Sequence, residues 1–469
     1  MSSISSGTPL FIVSSNAEKA DPITRKLIRS HVMRGKKKQK GRLDKDRRTA
    51  RSKARAGIDP AARVNLEEVV EMYTSRMPGR VGSDLSFIEF ADEMEQSILL
   101  SMVKVSTVAM KVIYPLLAAI GFQADHKERL YPIARDAVAL HITAFSVEGF
   151  IDRVLRGRHK MVNVAAMLHF QKGLRLLRER LLGDDDENKI SDGTMSVVLK
   201  LASAAHFEGD YGAAKHHMEG LRNMVDLRGG LGVFRGKQLH VEMLRCDLGI
   251  ALLNGSCPLF FCQPWEPPTT YPEALLPGPE DGSFAQDNIE LQNMDGELAR
   301  AWLVMKRFCL LVDLGTQTQR LMRPELIHDA MSAVMYRLLS MRFAIGSIDE
   351  TVRHGLLAFC HHVFLQWQDI KLPCRRFLAA YRNCILSVES IDGVSSQLML
   401  WLLMVGAISV FDVSDEAWLR ESFRGHVDKC HVKTWREMQR MLKSVMWVAL
   451  LDEHPGKHIY NLLSAEMTS

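Results

Sequence analysis

No cysteine occurs before Cys246, and the eight that follow, at 246, 257, 262, 309, 360, 374, 384 and 430, are irregularly spaced and sit mostly inside apolar runs. That distribution suits reduced core thiols and an intracellular, reducing compartment, and excludes a disulfide framework. Alternating apolar and polar strand patterns are scarce, which leaves an all-α body as the expected fold class. A membrane-length hydrophobic run is also lacking. Gly393 to Phe411 carries no charge over nineteen residues, but its first five are polar or small. Fourteen apolar residues are short for a hydrocarbon layer ~30 Å thick, so a buried core helix is expected and no membrane partner. The opening MSSISSGTPLFIVSS has no positively charged start and only a four-residue apolar patch, unlike a signal or transit peptide.

Catalytic signatures are missing as well. After Gly230-Leu231-Gly232 a dinucleotide loop requires its third glycine where Arg235 stands, and Gly236 comes one residue late with no strand before the run. Gly236-Lys237-Gln238 lacks the upstream glycine and the hydroxyl of a phosphate loop. Neither an HExxH pair nor a GxSxG elbow is present. Asp184, Asp185 and Asp186 have no spaced oxygens or glycine of a calcium loop and read as a solvated turn. His216 and His217 are neighbours on a helix, so they point about 100° apart and one is expected to pack while the other meets solvent. His354, Cys360, His361, His362 and Cys374 are denser, but lack the paired, regular spacing of zinc ligands. No enzyme activity, cofactor or metal is therefore expected.

What the sequence does contain is a strong charge asymmetry. Between Arg25 and Arg55 stand fifteen cations, Arg25, Lys26, Arg29, Arg34, Lys36, Lys37, Lys38, Lys40, Arg42, Lys45, Arg47, Arg48, Arg51, Lys53 and Arg55, against only Asp44 and Asp46. The segment sums to +13, while the remaining 45 cations and 53 anions leave the rest near −8. A dense cationic peptide on an acidic body holds a polyanion without coating the whole protein in it. Nucleic acid and a nuclear import receptor are the expected partners; the run has no Trp or Phe, and Leu27 and Leu43 alone are too sparse for an anionic membrane to take up. Asp21 and Pro22 form a helix start for a short cationic helix, and GKKKQKGR beyond Gly35 is held extended by like-charge repulsion. No leucine heptads follow Arg55, which excludes a basic zipper.

From about Ser83 the pattern is helical almost throughout. VNVAAMLHFQKGLRLLRERLL (162–182) places Ala166, His169, Phe170, Leu174, Leu177 and Leu181 along one face. A helical hairpin follows, turning at Glu208-Gly209-Asp210 and stopping at Gly229-Gly230; no second copy near a 34-residue period makes it a repeat array. Seven of the sixteen prolines fall between Asn254 and Gln286, so that segment is expected as a long surface loop. The resulting plan is a tail with a short apolar patch (1–20), a basic arm (21–56), a linker (57–82), and a helical domain whose halves, 83–253 and 287–460, flank the proline-rich loop.

PLFIVSSNAEKADPITRKLIRSHVMRGKKKQKGR, with its "RSHVMR" running into Lys and Arg, resembles the N-terminal signature of filamentous-fungal regulatory proteins that continue into the fungal-specific transcription factor domain. LHFQKGLRLLRERL (168–181), KHHMEGLRNMVDLRGGL (215–231), LWLLMVGAIS (400–409) and LKSVMWVALLDEHPGK (442–457) extend the resemblance in order. It implies a nuclear regulator with an all-helical effector domain that forms a homodimer or pairs with another transcription factor. Many relatives begin with a zinc cluster of six cysteines, which this chain, with its first cysteine at 246, does not have. DNA contact would therefore run through the arm. Two other classes stay open: a co-regulator using the arm only for import, and an enzyme or small-molecule sensor with a pocket within residues 100–455.

Overall fold

Helix boundaries follow the polar residues that can take up free backbone amides. The computed structural model describes residues 89–113, 115–120, 132–152, 163–261, 268–276, 294–366, 374–391, 394–413 and 417–464. All lie in the unit Leu66–Ser469, and none in the unit Met1–Asn65. After α1 (Gln96–Ile113) and α2 (Pro115–Ile120), α3 (Ala137–Phe150) starts at Asp136, whose carboxylate accepts from Val138 and Ala139 N–H. Asn163, Ser191 and Asp210 cap α4 (Val164–Leu182), α5 (Asp192–Glu208) and α6 (Tyr211–Leu227) in the same way. Gly209 at φ 77° makes the α5–α6 turn, and Gly229 and Gly230 at 96° and 92° stop α6, a backbone region that a Cβ disfavours.

The rest of the chain comprises α7 (Gln238–Asn254), α8 (Gly296–Thr318), α9 (Pro324–Ser340), α10 (Ile348–Cys360), α11 (Arg375–Glu389), α12 (Ser396–Ser409), α13 (Ala417–Lys429), α14 (Trp435–Val445) and α15 (Ala449–Ser464). Proline opens α9 at a position whose N–H needs no partner, and Thr434 with Glu437 closes a capping box on α14. Among the described residues there is no strand, so the architecture is all-α.

The hub is α12, in which every residue from Leu398 to Ser409 is buried. It packs against α10, α11, α13, α14 and α15, so it needs no polar face. Two glycines let its neighbours close in: a Cβ on Gly406 would strike the Phe411 ring, and one on Gly355 of α10 would strike Leu402 and Trp401. Trp401 is fully buried and donates its indole N–H to the Met446 carbonyl, 2.6 Å away. At roughly 1.5–3 kcal/mol for each large side chain removed from water, this helix is a main source of stability. It is the apolar run of 393–411, and among the described residues no helix is long and apolar enough to cross a membrane.

One continuous apolar core runs from Leu116 to Leu463 and joins both helical halves. A smaller cluster of Ile98, Met102, Leu140, Ala144 and Val147 lies between α1 and α3. The proline-rich segment enters the main core where it is described, since Phe260 and Leu275 are fully buried. It departs there from a pure surface loop because Asp247 of α7, itself buried, accepts from the Leu259 and Phe260 N–H groups and from the Tyr336 hydroxyl. Three donors offset the desolvation of one carboxylate, although burial still pushes its pKa up to about 6.

Candidate functional site

The fifteen basic residues from Arg25 to Arg55 lie outside the described residues, as do the tail and the linker through 82. What the structure does describe begins with a strap, residues 89–95, that leads into α1. Ala91 N–H donates to the Ala134 carbonyl at 2.8 Å, while Phe90 and Met94 pack on the smaller core cluster. Asp92 then forms a polar cluster with side chains of two helices. Its Oδ2 meets Lys172 Nζ of α4 at 2.7 Å and His141 Nε2 of α3 at 3.1 Å. The other nitrogen of His141, Nδ1, lies 2.7 Å from Nδ1 of His169 on α4, and the two rings stack.

These distances fix the proton pattern. The His141 nitrogen that faces a carboxylate carries hydrogen, so in the neutral ring Nδ1 accepts from His169 and leaves His169 Nε2 as a lone pair. Desolvation, followed by the charge of His141, lowers the pKa of His169. Hydrogen bonds from Lys172 and then His141 hold the Asp92 carboxyl well below the usual carboxylate range. The arrangement is a clasp that ties the strap to α3 and α4.

The histidine and cysteine cluster of α10 is dispersed by the fold. His354 Nδ1 bonds the Glu350 carbonyl at 2.9 Å, beside the Glu350–Arg353 pair at 2.6 Å, and stacks on Phe377. His361, in the π-helical turn His361–Leu365, is buried, and desolvation lowers its pKa to about 3. His362 Nε2 reaches Asp452 Oδ1 at 2.8 Å, close enough for a charge contact but misaligned for a hydrogen bond. With Phe359, Val405, Ile408 and Trp447, that pair lines a crevice with no room for a water molecule. Cys374 is buried at the start of α11. Among the described residues no group of three or more His, Cys, Asp or Glu side chains could hold a metal ion. His216 is exposed and His217 half-buried, and Asp184 to Asp186 remain exposed, with Asp185 capping one helical turn, Asp186–Lys189.

His169 occupies the inward stripe that the α4 pattern assigns to it, but its partner there is another imidazole. Nothing local marks the clasp: Asp92 and His141 are 49 residues apart, and His141 and His169 are 28 apart. The described part of the molecule is thus an all-helical body whose polar clusters fasten helices together. No family model, curated protein or solved structure matches the chain.

Proposed function

We propose that this chain is a nuclear transcriptional regulator similar to fungal-specific transcription factors, with a basic arm that contacts DNA phosphates and an all-helical body that regulates or dimerises. The observation that carries this is the +13 segment from Arg25 to Arg55 on an otherwise acidic protein. Such an arm neutralises phosphates and releases counterions, so it binds with steep salt dependence and little base discrimination. Further support comes from the resemblance, whose four later stretches lie on helices α4, α6 and α12 and across α14–α15. Selectivity then comes from a partner, as a homodimer or a heterodimer with another factor would provide.

Gel-shift titration of the full chain and of a form lacking residues 21–56 against random duplex DNA tests it. Six to ten phosphate contacts lower affinity by roughly 10³–10⁵ between 50 and 200 mM salt. Deleting the arm abolishes binding on this reading; unchanged affinity overturns it. The spacing of Lys36–Lys38 and Lys40 from Lys45, Arg47 and Arg48 also suits an import receptor, which favours a second reading as a co-regulator that enters the nucleus by the same arm. In that case the deletion moves the protein to the cytoplasm while complexes through the helical body persist.

A further inference from the structure

The outward face of α4 carries a pattern that neither the core nor the clasp uses. At 100° per residue, Val164, Leu168, Gln171, Arg175, Arg178 and Leu182 fall within about 40° of one line along the helix. Val164, Leu168 and Leu182 are 70%, 62% and 73% exposed, far more than an inward-facing stripe would allow. Gln171, Arg175 and Arg178 are exposed too, and among the described residues neither arginine has a carboxylate partner. The opposite face, Ala166, Gly173 and Leu177, is buried against α3. Helix α4 is therefore amphipathic twice over: one stripe builds the fold, and a second faces solvent.

The order along that second stripe selects its occupant. Apolar Val164, Met167 and Leu168 come first, two guanidinium groups follow about two to three turns later, and Leu182 closes the row. A second copy laid antiparallel in full register would set Arg178 against Leu168 and Arg175 against Gln171 of its mate, so this row would offer neither guanidinium a carboxylate and self-association is disfavoured. A bare polyanion would leave the three apolar side chains in water. We propose that this face docks an acidic amphipathic helix of a partner polypeptide, with its apolar residues against Val164, Met167 and Leu168 and its carboxylates against Arg175 and Arg178. Helix-on-helix docking with anchors at three- and four-residue spacing is the matching recognition mode, and arginine forks suit carboxylates. The inference does not depend on the arm contacting DNA.

The test uses the full-length protein and a fluorescein-labelled twenty-residue peptide, rich in Leu and Phe on one face and Glu on the next, beside its Glu→Gln version. Because the basic arm also attracts acidic peptides, the readout must be local. Hydrogen exchange is expected to show peptide-dependent protection of residues 164–182. Fluorescence anisotropy is expected to show at least tenfold weaker binding for R175E/R178E, for Leu168→Asp and for the Glu→Gln peptide. Both protein variants change exposed side chains, and an unaltered circular dichroism melt verifies their folding. Affinities within twofold of the parent protein, or protection absent from 164–182, would overturn the proposal.

Discussion

Lowering the pH from 7.5 to 5.5 is expected to destabilise the helical body by about 3 kcal/mol, through histidines that the fold keeps neutral. Burial lowers the pKa of His206 and His328 from 6.5 to about 4 and that of His361 to about 3. The Nδ1 of His206 and Nε2 of His328 are buried without hydrogen-bond partners, and Arg245 adds its own charge beside His328 and His361. In the unfolded chain each imidazole recovers its ordinary affinity and binds a proton as the pH falls through 6.5. The unfolded state then holds more protons, and stability is lost. At pH 5.5 each group costs about 1.4 kcal/mol, or roughly 4 kcal/mol for the three. Asp247 works in the opposite direction. With its folded pKa raised to about 6, it binds a proton in the native state first and restores about 0.8 kcal/mol over the same interval. Urea unfolding followed at 222 nm at both pH values measures the net change. His206→Leu, which removes one titrating group and one unpaired buried nitrogen, is expected to abolish nearly half of the net loss, about 1.4 kcal/mol. Stability that is equal or greater at pH 5.5 would refute this account.

Asp92→Asn and Lys172→Ala are expected to open the strap, speeding amide exchange at Ala91 while leaving that of α12 unchanged. Gly406→Ala should destabilise by roughly 1–3 kcal/mol through the clash with the Phe411 ring, whereas Gly220→Ala in α6, with nothing near its new methyl group, should gain about 0.5–1 kcal/mol; thermal melts distinguish the two. Thiol labelling mapped by mass spectrometry should reach exposed Cys257 within minutes and leave Cys309, Cys360, Cys374 and Cys384 unmodified until the protein unfolds.

Much of the helical architecture is legible from local chemistry. Glycine at 209, 229 and 230, the apolar run at 398–411 and the buried thiols all stand where a residue-by-residue reading puts them, because turn geometry and burial are written in single side chains. Leu181 is a small exception: the α4 stripe assigns it inward, yet it is 36% exposed near the end of the helix. Pairings across long sequence separations are a different matter. Asp247 gives no sign in sequence that it will anchor Leu259 and Phe260, because its carboxylate looks like any other until three donors converge on it. The same holds for Asp92 with His141, and for the separation of His354 and His362 to different neighbours around one helix end.

The central place of α12 also bears on how the protein is made. Its burial depends on α13, α14 and α15, which leave the ribosome after it. At about 5–20 residues per second, this strongly apolar helix waits several seconds for its cover. During that interval α10 and α11 can cover only part of Leu400–Met404, and the faces that await α13, α14 and α15 make the nascent chain a natural client for holdase chaperones. Truncations that end between α12 and α15 turn the same helix into a seed for aggregation.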